Sequence, residues 1–350
     1  MSLREEIVLN LNLASITRLL GAAITAAVLT TTVVYAQEVP SFLQGQTLSK
    51  PLNQVKIGFS IRGLVGGGDL YTAQYVNKVK ELAKKYGVQL VSIDAQDDPA
   101  KQNQDVANLM AQGVDVVAVW ATNAKAIVPA LKKAHDGGFK VVTFNAVVDK
   151  SAKDYIDAYV GPDDYNQSKL ATQQMIDAMG GKGNIVMIRA QLGFSPSDLR
   201  AQAVFDLVKK NPGITLLDTQ EGRWSQVLGQ QIMENFITRF GNRIDGVVGA
   251  DGYTSTGANL AVEAARQSGK LDPNHLIYFA DANVVSTSYD LMAKGKFPGG
   301  SVIQDPSAEG ALAFETALKV ALGINVPKET FLPTPVINQD NYKQYPRPSN

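Results

Sequence analysis

The chain has 350 residues, 45% of them hydrophobic and 19% charged, a balance that suits about two well-packed domains and excludes a disordered chain. Its formal net charge is zero, with no basic run and no acidic tail, so charge offers no grip on nucleic acid or an anionic membrane. It has no cysteine, which removes a disulfide framework, a thiolate metal site and a lipid-modified cysteine at a processed N-terminus.

Residues 1–36 differ in composition from the rest. Leu19–Val34 is apolar without periodicity, follows Arg18, and leads into Val34-Tyr35-Ala36. Small residues at the first and third positions before a cut place cleavage after Ala36. The run is shorter than the ~20 apolar residues of a membrane anchor, although Glu5 and Glu6 are unusual for a basic leader. The reading is a cleaved export signal, 1–36, followed by a leader segment, 37–53. An exported chain with neither lipid anchor nor disulfides suits the periplasm of a Gram-negative-type cell.

From Val55 the chain alternates strand and helix. Val55–Ser60 is a short apolar run, and helical spacing then links Leu70, Tyr71, Tyr75, Val79 and Leu82 up to Gly87. Gln89–Asp94 is a second strand. Asp98-Pro99 opens a helix with a capping acid and a first-turn proline, ending at Gly113. Asp115–Ala121 is almost continuously apolar, as in a strand buried on both faces of a parallel sheet. Helix Lys125–Asp136 and strand Lys140–Asn145 follow. Asp157–Gly161 reads as a short crossing segment, and Pro162-Asp163-Asp164 as a turn.

The alternation then restarts. Helices are expected at Tyr165–Met179, Pro196–Lys210, Gln226–Phe240, Thr254–Ser268, Val285–Lys294 and Ala308–Leu322. Strands are expected at Asn184–Arg189, Ile214–Thr219, Gly246–Ala250, Leu276–Asp281 and Ser301–Gln304. Ser195 looks like a capping serine ahead of Pro196. A proline-bounded segment, Leu332–Ile337, precedes a polar tail. The pattern is α/β: two similar doubly wound parallel-sheet lobes.

Enzymatic signatures are missing. The run from Gly63 to Gly68 lacks both GxGxxG spacing and a following Lys-Ser/Thr, so it reads as a loop that lets backbone approach a ligand. No GxSxG elbow occurs. His135 and His275, the only histidines, have no neighbour in sequence to complete a metal set. No catalytic residue, metal or cofactor is expected.

What remains are polar and aromatic residues where strands end, which is where open α/β sheets bind ligands. The first half supplies Ser60, Arg62, Asp69, Tyr71, Trp120, Asn123 and Asn145. The second supplies Arg200, Trp224, Asp251, Asp281 and Gln304. Carboxylates and amides pair with neighbouring hydroxyls, arginine donates as a planar fork, and indole faces suit the C–H side of a sugar. Plainer roles compete: Trp120 as core filler, Asp69 and Asp251 as helix caps, and Arg200 paired with Asp198 or Asp206.

Several stretches resemble the periplasmic sugar-binding proteins of the ribose- and galactose-binding type, which serve ABC transporters. They are IGFS, IDAQDDPAKQNQDVANLMAQGVD, the Trp120-Ala121-Thr122-Asn123 loop, GADGYTSTGA and IYFADAN, within Val55–Ile337. The resemblance implies the type I periplasmic binding protein fold, with three crossings near Gly161–Tyr165, Gln304–Pro306 and Leu332–Pro335. The lobes would be 54–162 plus 305–332 and 163–304 plus 333–340, with a tail at 341–350. It places a pocket on Ser60, Tyr71, Trp120, Asn145, Arg200, Trp224, Asp251, Asp281 and Gln304.

The resemblance also implies a monomer that passes a sugar, polyol or amino sugar to a membrane permease. A receptor handing a sugar-like signal to a sensor or chemoreceptor would share the same core, and an exported sugar-processing enzyme is the reading from a different class. The sequence departs from the ribose-binding pattern: Asn145-Ala146 replaces Asp-Arg, the first loop is longer, and Asp251 stands where asparagine is common. Ribose held in the usual way is therefore not expected.

Overall fold

Short, largely β-branched runs set between helices build two sheets in the computed structural model, which describes residues 39–64 and 70–349. The export-signal reading, Asp69 and most of the glycine-rich loop lie outside the described residues. The first lobe contains β1 (Lys56–Ile61), α1 (Leu70–Lys85), β2 (Gln89–Asp94), α2 (Pro99–Ala111), β3 (Val116–Val119), α3 (Val128–Asp136), β4 (Lys140–Phe144) and β5 (Ala158–Gly161). The chain crosses into α4 (Asp164–Ala178), β6 (Gly183–Arg189), α5 (Ser195–Lys210), β7 (Ile214–Glu221), α6 (Gln226–Phe240), β8 (Gly246–Gly249), α7 (Gly252–Gln267), β9 (Tyr278–Asp281), α8 (Ser286–Ala293) and β10 (Gly299–Val302). It returns through α9 (Pro306–Ala321) and β11 (Glu329–Phe331), then crosses once more into β12 (Val336–Ile337).

The sheet orders are β11-β5-β4-β3-β1-β2 and β12-β10-β9-β8-β6-β7. The pairings are parallel except that of β10 with β12. Strand alternation sends successive side chains to opposite faces. Val116 and Ala118 of β3 therefore enter the core shared with α1 and α9, while Val117 and Val119 enter the one shared with α2 and α3. β8 divides Val247 and Val248 in the same way. The two lobes are the type I periplasmic binding protein architecture.

Helix starts follow the local chemistry. Asp98 accepts from the backbone N–H of Ala100 and Lys101, and Asp163 accepts from Asn166. Ser195 does not act as a cap: its Oγ finds no partner, and Asp198 instead bonds Arg189 and the Gly193 N–H. The segment read as a mere crossing is β5, a strand between β4 and β11. Residues 124–127 form turns, and α3 starts only at Val128 beside Pro129.

Candidate functional site

The carboxyl ends of the strands from both lobes border a cleft of about 880 Å³, within the roughly 300–1,000 Å³ usual for small-molecule sites. Arg62, Tyr71, Trp120, Asn123 and Asn145 line it from the first lobe. Arg200, Trp224 and Asp251 line it from the second, and Gln304 from the second crossing. Ser60 and Asp281, expected on the walls, are not there. Ser60 is fully buried behind Trp120, where Gln102 Nε2 reaches both its Oγ (3.3 Å) and the Trp120 carbonyl (2.7 Å). Asp281 is buried at the end of β9 and accepts from the Ser301 hydroxyl.

Arg200 is paired with neither acid on its own helix. Its Nε donates to Asp164 (2.9 Å), and Nη1 donates to the carbonyls of Ala250 (2.8 Å) and Ala282 (3.0 Å). Asp251 does both jobs considered for it, lining the cleft and capping α7 through Thr254 N (2.9 Å). Trp120 is likewise both wall and core: it is 2% exposed and packs on Tyr75 and Phe144. Asn123 accepts from the N–H of Lys125 and Ala126.

Strained backbone gathers at this cleft. The described non-glycine residues with positive φ are Gln96, Asp97, Asn145, Arg223, Trp224 and Asn283, and all but Gln96 line the cleft. A left-handed backbone costs about 1–2 kcal/mol for a residue carrying a Cβ, and such strain is concentrated where function requires a fixed geometry.

Three buried carboxyls lie around the site. Burial is the main cause of each upward shift: Asp164 to about 6, and Glu309 and Asp281 to about 7. Arg200 partly offsets the shift of Asp164. For Glu309 the offset comes chiefly from hydrogen bonds with Tyr71 and Asn145. Burial also raises the Tyr71 phenol well above its ordinary range.

The lobes touch across the cleft. The Arg62 guanidinium, held by Asp97 at 2.7 Å, sits 4.3 Å from the centroid of the Phe194 ring. Phe194 meets Trp224 edge-on at 6.0 Å and belongs to the first lobe's apolar core. Ala124 N donates to Gly193 O at 3.3 Å. Gly193 has φ +80°, and a Cβ there would lie 2.6 Å from Asn123 Nδ2, so glycine permits this approach.

Phe194, Asn283, Asp97 and Glu221 are cleft residues that strand-end reading missed. Asn283 stands only two positions past Asp281, and Phe194 directly precedes the Ser195-Pro196 helix start. Those were the available signals. Among the described residues, the ionic lining is Arg62, Arg200 and Arg223 against Asp97, Glu221 and Asp251, whose formal charges cancel. Four buried polar atoms on the lining residues have no protein partner: Trp120 Nε1, Trp224 Nε1, Asn283 Oδ1 and Gln304 Nε2. Such atoms cost roughly 1–3 kcal/mol each while unsatisfied, so the cleft is built to be completed by hydrogen-bonding groups of both senses. Among the described residues, no group of three or more His, Asp and Glu side chains could hold a metal ion.

Comparison with known proteins adds the family context. A model of the periplasmic binding protein domain matches residues 63–325. A xylitol-binding protein of Mycolicibacterium smegmatis is 27% identical over 74% of this chain and 71% of its own length. A galactofuranose-binding protein of Escherichia coli is 25% identical over 84% of this chain and 90% of its own. Among solved structures, an ABC transporter solute-binding protein of Bacillus halodurans with bound myo-inositol superposes with a TM-score of 0.73 at 25% identity. That superposition covers 83% of this chain and 97% of the other. These relatives are binding proteins, not enzymes.

Proposed function

This chain belongs to the periplasmic binding protein domain family, and on that premise we propose that it captures a neutral sugar or polyol between its lobes and delivers it to an ABC transporter permease. The observation that carries the reading is the cleft itself. Its ionic lining is balanced among the described residues, two indoles stand on its walls, and donors and an acceptor lie buried without protein partners. A hydroxyl both donates and accepts, so one polyhydroxyl ligand satisfies both senses at once. Charged ligands would unbalance the walls. Xylitol, galactofuranose and myo-inositol, the compounds named for the relatives, are all of the neutral hydroxyl-rich class.

Capture stabilises the closed arrangement because only there do groups from both lobes reach one ligand. Export by the N-terminal segment, residence in the periplasm and action as a monomer complete the proposal. The test is a thermal-shift screen of the full chain with xylitol, myo-inositol, pentoses and hexoses. A ligand at 100 times its Kd stabilises by about 2.7 kcal/mol, a rise of about 5 °C or more in Tm. If no carbohydrate or polyol raises Tm while a nucleotide or metal does, the proposal fails.

A further inference from the structure

Glu309 stands behind the cleft wall in the first turn of α9 and is 2% exposed. Its neighbour Gly310 sets the approach: a Cβ there would lie 2.5 Å from the Tyr75 carbonyl oxygen, so α9 rests directly on the α1 backbone. This brings Glu309 Oε2 within reach of two lining residues. It accepts the Tyr71 hydroxyl and Asn145 Nδ2 (3.1 Å), and the same Nδ2 reaches the Tyr71 oxygen at 2.9 Å.

The hydrogens can be counted. A tyrosine hydroxyl has one, and it goes to Glu309. An asparagine amide has two; the Glu309 and Tyr71 oxygens, bonded to each other, lie on the same side of Nδ2 and share one of them. The reversed amide would set Oδ1 against a carboxylate oxygen and a hydroxyl oxygen whose proton points elsewhere, so this orientation is fixed. What the Tyr71 hydroxyl retains for the cleft is lone pairs.

We propose that Glu309 is a positioning residue that, with Asn145 donating beside it, makes the Tyr71 hydroxyl an acceptor-only corner of the cleft, so that a bound polyol must present a free O–H there. The inference rests on the polyol reading of the cleft. An ether or keto oxygen facing the Tyr71 hydroxyl meets lone pairs and is rejected, whereas a free hydroxyl rotor would take either. Protonating Glu309 would add a donor where two are already aimed and undo the corner. Its carboxyl titrates at about 7. The groups that face it are Tyr71 and Tyr75 of α1, Tyr159 of β5, Asp164 of α4 and Arg200 of α5.

The test has two arms on the full chain. In the first, ¹⁵N-asparagine-labelled protein is titrated without ligand, the Asn145 amide being assigned by its loss in Asn145→Ser. Wild type should show both Asn145 side-chain protons moving with a midpoint near pH 7, and Glu309→Met should abolish that movement. An Asn145 amide indifferent to pH in wild type overturns the proposal, even if Glu309→Met fails to fold. In the second arm, myo-inositol is compared with its mono-O-methyl ethers.

Wild type should disfavour the ether at one position by 100-fold or more, in keeping with the strong rejection of analogues by sites built around a hydroxyl. Glu309→Met should reduce that preference to below about tenfold, and Glu309→Gln should retain part of it. Equal ether preference in wild type and Glu309→Met contradicts the inference. If no polyol binds while the Asn145 amide follows pH as described, the functional reading fails and the orienting role of Glu309 stands.

Discussion

The two lobes repeat one strand order, yet they face the cleft with differently prepared walls. On the first lobe the polar groups are largely committed to one another: Arg62 to Asp97, Tyr71 and Asn145 to Glu309, and Gln102 to Thr122 and the Trp120 carbonyl. On the second, Arg200 is committed in the same manner, but Trp224 Nε1 and Asn283 Oδ1 are not. The backbone there is left-handed at Arg223, Trp224 and Asn283. The first wall is thus largely preset, with Trp120 Nε1 its one unpartnered atom among the four, while the second holds two of them and three of the five left-handed cleft residues. Presetting one wall lowers the ordering cost of capture.

The largest effect should come from Arg200, which ties the second wall to the crossing. Arg200→Met strands the buried Asp164 carboxylate, and breaking such a pair costs about 3–5 kcal/mol. Urea unfolding should record that loss; a change under 1 kcal/mol would make the pairing incidental. Trp224→Ala should instead leave the fold intact and weaken ligand binding by about 2–4 kcal/mol, the range of interface anchors. Unfolding of that variant would assign the indole to the core.

A subtler contrast is in pH. Burial raises Glu309 to about 7 from the ordinary ~4.3, so the native state holds a proton that the unfolded chain has released. The stability owed to this group is complete below about pH 4 and is lost as pH rises through about 7. Asp281 and Asp164, also raised, act with the same sign. Glu309→Gln, which stays neutral, should flatten part of the decline in the urea midpoint between pH 5 and 7. An unchanged slope would remove Glu309 from the account.

Ligand binding should run the other way. With a midpoint of about 7, the ionised fraction of Glu309 falls about tenfold from pH 8 to 6, and affinity should fall with it in wild type but not in Glu309→Gln, since affinity scales with the competent fraction.

The smallest contrast concerns helix starts. Asp163→Ala should cost about 1 kcal/mol, because Asp163 caps α4. Ser195→Ala should leave stability unchanged or raise it by about 1 kcal/mol, because its buried hydroxyl bonds nothing.

That last pair marks what the sequence could tell. An almost continuous apolar run placed β3 between two helix layers, and Asp98-Pro99 announced α2, because those signals are local. Ser195-Pro196 carries the same signal, but Asp198 is drawn to Arg189 and Gly193, which no local pattern reveals. β5 was too short to declare itself, and its neighbour β11 arrives from the far end of the chain.

At the cleft, residues next to strand ends were legible. Phe194 was not, because its partner Arg62 is on the other lobe. Glu309 reads from sequence as an ordinary first-turn acid, and nothing there says that Tyr71, 238 positions earlier, is its neighbour.

The central claim, capture of a neutral hydroxyl-rich ligand between a preset wall and a receptive one, is tested most directly by calorimetric titration of wild type and Trp224→Ala. The titrants are xylitol, myo-inositol and common hexoses, alongside the matching uronates and amino sugars. The account predicts that a neutral compound binds wild type, about 8 kcal/mol for a micromolar Kd, that its charged analogues bind far more weakly, and that Trp224→Ala loses the heat. Preferential binding of a charged analogue, or undiminished binding to Trp224→Ala, would contradict it.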